Sequence, residues 1–448
     1  MTDVNSRGGT STQTLRERIS GEVVLPSDET YEQHRNAFMY PGSPAVIARC
    51  RTHDDIRHAL QFGREQQLPI SIRSGGHGPG FGTNDGGLVI DLSPFDQVEI
   101  LDDQRRLVRI GTGARWIDVA NALGPHGLAI SSGDTTKVGV GGLILGGGMG
   151  WLVRKCGLTI DSLVAADVVT ADGRTLRASA DEHPDLFWAI RGGGGNFGVV
   201  TAFELVATPV RNVLAGTITY PPSDAPSVLK KWRDYMREAP EDLTTTAMLM
   251  PEMPEGPPPF AIGVCCPADD ESAARAAVDP LLGLDDGAAH DLKTMPYGDV
   301  LEEPHELPPG MGPPLGKNDL VSELHDEVID LVVRRVRESG ATMAQLRSLG
   351  GALSRIPSEA TAFAQRDSEA LVMTVTFDRS PEGVAAYDAM RESLASFSSG
   401  SYGNLTNTRD ADDPRAIYPP STYERLAAVK RAYDPENLFN QNYNIRPA

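Results

Sequence analysis

The stretch RSGGHGPGFG, Arg73–Gly82, sets five glycines around one histidine directly after a short β-branched run. Glycine lets backbone approach a ligand closely, and successive N–H groups in such a loop can form a nest for a pyrophosphate. The residues alone leave two readings open: a ligand loop with His77 in it, or a tight surface turn. A second stretch, GVGGLILGGGMG at 139–150, holds seven glycines in twelve residues. That density makes a poor helix and a weak strand, and it is best explained by chain pressed against a flat or phosphorylated ligand. A third, RGGGGNFG, places Gly193, Gly195 and Gly198 in the spacing GxGxxG. The dinucleotide fingerprint needs a strand before it and a helix after it; here the order is reversed, so a Rossmann reading fails. A Gly-Lys-Ser/Thr phosphate loop and a GxSxG elbow are both absent. Three glycine-rich loops therefore point to one extended nucleotide cofactor.

Those loops need a scaffold, and short strands supply it. Runs at 45–50, 70–73, 88–92, 98–101 and 107–110 are β-branched or alternating and are bounded by Gly, Asp and Pro. A helix is expected over 53–66, capped by Thr52, with Ile56, Ala59 and Leu60 on one face. Another is expected over 116–123. The segment 164–179 reads as a hairpin turning at Asp172-Gly173, and a helix over 183–190 leads through RGGGGNFG into a strand at 199–206. Beyond Pro209, helical windows at 224–238, 271–282, 322–338 and 381–394 are interspersed with strands at 214–220, 244–249, 260–265 and 370–377. Pro-rich stretches at 251–259 and 304–314 read as surface loops. A last helix, 423–433, stops before Asp434-Pro435.

Composition narrows the class. The chain has 448 residues, enough for two or three domains and a sizeable core. Its net charge of −20 argues against phosphate backbones and anionic lipid, so neither nucleic acid nor membrane is an expected partner. Cys50, Cys156, Cys265 and Cys266 form no CxxC pair and have no histidines at zinc spacing, so no metal is expected and a reducing compartment fits. Residues 1–20 carry no apolar signal core, and no run of about 18 apolar residues occurs, which gives the expectation of a cytoplasmic protein. A monomer or homodimer is expected.

Four motifs taken together are more specific. RSGGHG, VGVGGLILGGGMGWLVRKCGL, DLFWAIRGGGGNFGVVTAFEL and RLAAVKRAYDPENLFNQNYNI, in this order, resemble the berberine-bridge-enzyme-like FAD-linked oxidases of the vanillyl-alcohol-oxidase (PCMH-type) superfamily. The likeness runs from about residue 40 to the C-terminus and extends to the bacterial natural-product and mitomycin-resistance-like branch. It implies an α+β fold: a two-lobed PCMH-type FAD-binding domain over 40–210, a substrate domain over 211–404 with an antiparallel sheet flanked by helices, and a segment, 405–448, returning to the FAD domain.

The resemblance also implies roles. His77 matches the histidine bonded to the flavin 8α-methyl group, a bond that raises the reduction potential. Arg73, Ser74, Gly75, Gly76 and Gly78 would wrap the pyrophosphate. Thr135 stands where many relatives carry a second, cysteinyl tether, and Cys156 does not match that position, so one covalent bond is implied. Val138 matches the position that admits or blocks O2. Gly139, Gly141, Gly142, Gly147, Met149 and Val200 would lie against the cofactor, and Asn442 and Asn444 of NQNYNI would bond it or close the lobe. In SYGNLTNTRDADD, Tyr402 matches the tyrosine that acts as catalytic base, although Leu405 replaces the second tyrosine of the family's segment. A phenol with a pKa near 10 must be lowered by its surroundings to serve near neutrality. Tyr418 and Glu369 are the alternative bases.

The activity implied is oxidation of a hydroxyl-bearing small molecule, a secondary metabolite by analogy, with hydride passing to flavin N5 and O2 leaving as H2O2. Two other readings stand beside it: a flavin-dependent oxygenase or oxidative cyclase of natural-product assembly, and a non-catalytic drug-sequestering flavoprotein.

Overall fold

Thr52 begins the first long helix, His53–Glu65, with a reciprocal cap: its hydroxyl accepts from the Asp55 N–H while the Asp55 carboxylate accepts from the Thr52 backbone. A computed structural model of the chain describes residues 11–78, 80–221, 224–251, 260–304, 312–406 and 414–448. In it, this helix connects strands Val46–Arg49 and Ile70–Arg73, which lie parallel on either side of Leu88–Asp91. Glu22–Val24 pairs antiparallel with the outer edge of Val46–Arg49. A helix Thr12–Arg18 adds Leu15 to the same core. The last strand of this sheet ends at Arg73, so the RSGGHG loop leaves from a strand terminus.

A second, five-stranded antiparallel sheet runs in the order Val98–Asp102, Leu107–Gly111, Val199–Val206, Leu163–Val169, Thr175–Ser179. Its central strand, VVTAFELV, is buried almost throughout and pairs on both sides, which accounts for its near-continuous apolar run. The hairpin expected at 164–179 is present. The glycine-saturated stretch holds a six-residue helix, Val140–Leu145, whose apolar residues Val140, Leu143 and Ile144 pack into the central core. Local propensity argued against any helix there; tertiary burial overrides it.

The third sheet is antiparallel and has eight strands. Its path runs Ala289–His290, Asn212–Tyr220, Phe260–Pro267, Thr244–Leu249, Thr342–Ser348, Ala370–Thr376, Leu315–Val321, with Lys293–Pro296 also pairing to Asn212–Tyr220. Helices Ala225–Glu238, Glu271–Leu282, Asp326–Ser339 and Pro381–Ala395 all belong to this half of the chain. The first three bury Leu229, Val278 and Val332 against Ile218, Ile262 and Leu346. Two of the strands, Leu315–Val321 and Thr342–Ser348, escape sequence reading because LGKNDLV and TMAQLRS mix polar with apolar residues. The helix expected from 322 begins at Asp326, since Ser322–Leu324 still leads out of the preceding strand. The last helix starts at Pro420 instead of Tyr423, with proline in its first turn where no N–H is needed. Most of the proline-rich stretches at 251–259 and 304–314 lies outside the described residues.

The C-terminal segment is tied back by a buried ion pair. Lys430 and Asp434, both with fully buried side chains, lie 2.7 Å apart. The same ammonium also donates to the carbonyls of Asn196 and Phe439, so its three protons join the last helix, the RGGGGNFG loop and the tail. Lys430→Met leaves Asp434 buried and uncompensated and is expected to destabilise the protein by about 3–5 kcal/mol. Chemical denaturation of the variant beside wild type measures this. A change within error would show that the pair does not hold the tail.

Candidate active site

The glycine loops meet backbone to backbone. A Cβ at Gly75 would lie 2.3 Å from the Gly139 nitrogen, and one at Gly139 would lie 2.1 Å from the nitrogen of Gly75, so neither position tolerates a side chain. Ser74 fixes the contact: its hydroxyl donates to the Thr112 carbonyl at 2.6 Å and accepts from the Gly141 N–H at 3.2 Å. The Arg73 side chain is turned inward, 2.7 Å from Asp91 and bonded to the His34 carbonyl, so it buttresses the loop and offers no charge to a ligand. Although burial pushes the Asp91 carboxyl up, the Arg73 guanidinium and the Ser93 groups bonded to it hold it below the usual range.

These loops floor a cleft of about 410 Å³ that also receives Val200 from the second sheet, Arg347 from the third and Asn442 from the tail. His77 lies on its wall, stacked on Phe38 with ring centres 4.1 Å apart. Burial, with Arg115 and Lys137 nearby, lowers its pKa to about 4, so the imidazole is neutral at ordinary pH. Gly76, Gly78, Thr135, Val138, Gly142 and Met149 line the same cleft.

Tyr402 is 2% exposed and is one of the residues that line the cleft. Its phenol oxygen accepts three hydrogen bonds, from the Gly148 N–H at 3.1 Å, the Met149 N–H at 3.2 Å and the Asn404 side-chain amide at 2.9 Å. Burial pushes the phenol above its ordinary value; Asn404, the two N–H groups and the Arg347 charge oppose that rise.

Gly147 and Asn444 are not among the residues that line the cleft. Gly147 has φ +129°, and a Cβ there would sit 3.4 Å from the rings of Phe363 and Tyr402, so glycine at this position makes room for both rings. Asn444, like Asn442, has a buried side-chain oxygen bonded to no protein donor, and the N–H of the following Ile445 donates to the Asn196 side chain. Glu369 is also remote from the cleft, accepting from Arg237 and from the Leu324 N–H. Tyr418 does line the cleft, but its hydroxyl donates to the Gly192 carbonyl and burial raises it strongly. Cys156 is not on the wall; it lies 3.3 Å from the Thr208 hydroxyl, and burial raises its thiol.

Sequence reading missed Asn196, Asn404, Asp134 and Arg347, all on the wall. Asn196 sat within a recognised motif and could have been flagged. Asn404, two residues after Tyr402, and Asp134, beside Thr135, could have been flagged in the same way; Arg347, in a strand of mixed polarity, carries no local signal.

Residues 44–179 match the family model of an FAD binding domain, and 401–446 that of berberine and berberine-like proteins. (R)-6-hydroxynicotine oxidase of Paenarthrobacter nicotinovorans is 31% identical, over 96% of this chain and 97% of its own length. The chain belongs to the berberine-bridge-enzyme-like FAD-linked oxidases. A crystal structure of 6-hydroxy-D-nicotine oxidase from Arthrobacter nicotinovorans superposes with a TM-score of 0.84 at 30% identity, covering 96% of this chain and 98% of that one. Glucooligosaccharide oxidase from Acremonium strictum, described with a 6-S-cysteinyl, 8α-N1-histidyl FAD, superposes with a TM-score of 0.83 at 25% identity, covering 96% and 97%. As a member of this family the protein is an FAD-linked oxidoreductase with the PCMH-type two-lobed fold.

The cleft fits the cofactor of a BBE-like oxidase. Gly78, Gly142 and Gly195 line it, and a Cβ at any of them would meet no atom within 4 Å, which leaves room for a ligand against bare backbone. Asn442 lines it too, with its side-chain oxygen buried and bonded to no protein donor. Among the described residues no group of three or more His, Cys, Asp or Glu could hold a metal ion, and no helix is long and apolar enough to cross a membrane.

Proposed function

We propose that this protein is an oxidase that removes two electrons from a hydroxyl-bearing small molecule and passes them to O2, with its FAD tethered through His77 alone. The observation that carries the reading is the triply bonded phenol oxygen of Tyr402, a residue of the cleft that the glycine-rich loops floor. Bound there, FAD supplies the acceptance of a hydride, chemistry that no side chain offers. The backbone of Ser74–Gly78 and Gly139–Gly142 would hold its phosphates, with Asn442 as a further partner. His77, neutral and stacked on Phe38, keeps a lone pair for the covalent bond. Tyr402 takes the substrate hydroxyl proton, and the three N–H donors stabilise the negative charge on its oxygen when the proton is absent. Residues 40–210 hold the cofactor, 211–404 supply the substrate face, and 405–448 close the cleft from the tail. Thr135 lines the cleft and offers no thiol, and Cys156 lies off the wall, which supports a single bond.

Acid precipitation of the purified protein tests the cofactor and the tether together. A yellow pellet is expected, and one H2O2 per turnover on an accepted substrate. A colourless pellet refutes the covalent bond; oxidation without peroxide refutes the oxidase in favour of oxygen insertion.

Val138 lines the cleft, half-buried against the central core. Val138→Leu adds one carbon where O2 must approach and is expected to slow reoxidation by roughly tenfold, the factor given by about 1.4 kcal/mol of added barrier. Stopped-flow mixing of the reduced enzyme with aerated buffer measures it, and an unchanged rate would remove Val138 as the gate.

A further inference from the structure

Strand Thr342–Ser348 turns alternate side chains to opposite faces: Ala344 and Leu346 lie under the helices, and Arg347 lines the cleft. The Arg347 side chain is only 4% exposed. Its Nε donates to the Thr246 hydroxyl at 3.1 Å, its Nη2 bonds Asp134, and its plane lies 5.3 Å from the Trp151 ring centre. The Nη1 meets no protein acceptor among the described residues. Asp134 also lines the cleft, and its Oδ1 is buried with no hydrogen-bond partner. Capacity left open on a buried charged pair is costly unless a ligand fills it. The other permanent cation of the wall, Arg73, is closed by Asp91 and the His34 carbonyl.

We infer that Arg347 is the specificity residue of this cleft and that the substrate presents to it an anionic oxygen, a carboxylate or the oxyanion of an acidic phenol or enol. This rests on the reading of the cleft as an FAD-and-substrate site. The planar guanidinium is held in orientation by Trp151 and Thr246, so Nη1 can make a charge-assisted bond without reordering. Asp134 balances the charge while the site is empty and competes with an incoming anion when it fills.

Benzoate, benzyl alcohol and benzylammonium, titrated into the full-length holoenzyme, test this through the change each makes in the flavin absorbance. Flavin content is read first; a protein without flavin would refute the proposed function and leave this inference to fall with it. In the flavin-loaded wild type, benzoate is expected to bind tightest of the three. Arg347→Met should weaken benzoate by roughly 10- to 100-fold, the usual worth of a charge-assisted bond, and leave benzyl alcohol unchanged. Asp134→Asn, which removes the competitor, should tighten benzoate several-fold; Arg347→Lys should restore part of the loss and serves also if the methionine variant does not fold. Benzoate that leaves the spectrum unchanged, or benzylammonium that binds tighter, overturns the inference. So does an Asp134→Asn variant that weakens benzoate as much as Arg347→Met, because the pair would then only tie the lobes together.

Discussion

Tyr402→Phe is expected to slow anaerobic flavin reduction by about 10²–10⁴, the range for loss of a general base. The ring packs edge-on against Phe363, with centres 6.1 Å apart, and phenylalanine keeps that contact, so flavin content and substrate affinity should survive. The three donors that converge on the phenol oxygen lose their shared acceptor, which costs some folding stability, while the rate loss comes from the missing proton acceptor. A pH signature accompanies the rate. Because burial holds the phenol above its ordinary value, its phenolate fraction grows with pH throughout the range in which the protein is folded. Wild-type reduction should therefore quicken as pH rises, and the phenylalanine variant should be flat. Stopped-flow reduction traces across pH measure both. A drop confined to substrate affinity, with the reduction rate kept, would make Tyr402 a positioning residue and move the base to Tyr418, the alternative that lines the cleft.

Loss of the imidazole should be equally plain. His77→Ala is expected to release all of the yellow cofactor to the supernatant on acid precipitation, whereas the wild-type pellet keeps it. The same histidine predicts a pH dependence of attachment. Its pKa is pushed down to about 4 by burial and by the charges of Arg115 and Lys137, so the neutral, bond-forming imidazole predominates above that value. Covalent loading of apoprotein with FAD should be indifferent to pH from neutrality down to about 5 and should fail as pH approaches 4. Mass spectrometry of a flavin peptide containing Cys156 instead of His77 would sink the assignment. Loading that fails already near pH 6.5 would show that the imidazole is not depressed.

Particular elements show what was legible before any coordinates. Thr52 and Asp55 specify a helix start by themselves, because a capping box is a contact between residues three apart. The strand Val199–Val206 and the hairpin before it were legible because a short, nearly continuous apolar run and an Asp-Gly turn are local signals. The three glycine-rich loops were legible as ligand loops, and in combination with the C-terminal motif they named the family. Leu315–Val321 and Thr342–Ser348 were not legible: each buries polar residues, Asn318 bonded to the Tyr402 carbonyl and Arg347 on the cleft wall, which breaks the apolar rhythm.

The sequence by itself determined which loops are bare backbone, that His77 sits among them, and the family to which the chain belongs. Tertiary structure alone decided what surrounds the reacting groups. Tyr402 gains its donors from Gly148 and Met149, more than 250 residues away, and Arg347 meets Asp134 across 213 residues. The physical reason is range. Caps, turns and alternation are settled within a few residues, whereas the charge, burial and hydrogen bonding at a site depend on side chains that only the folded chain brings together.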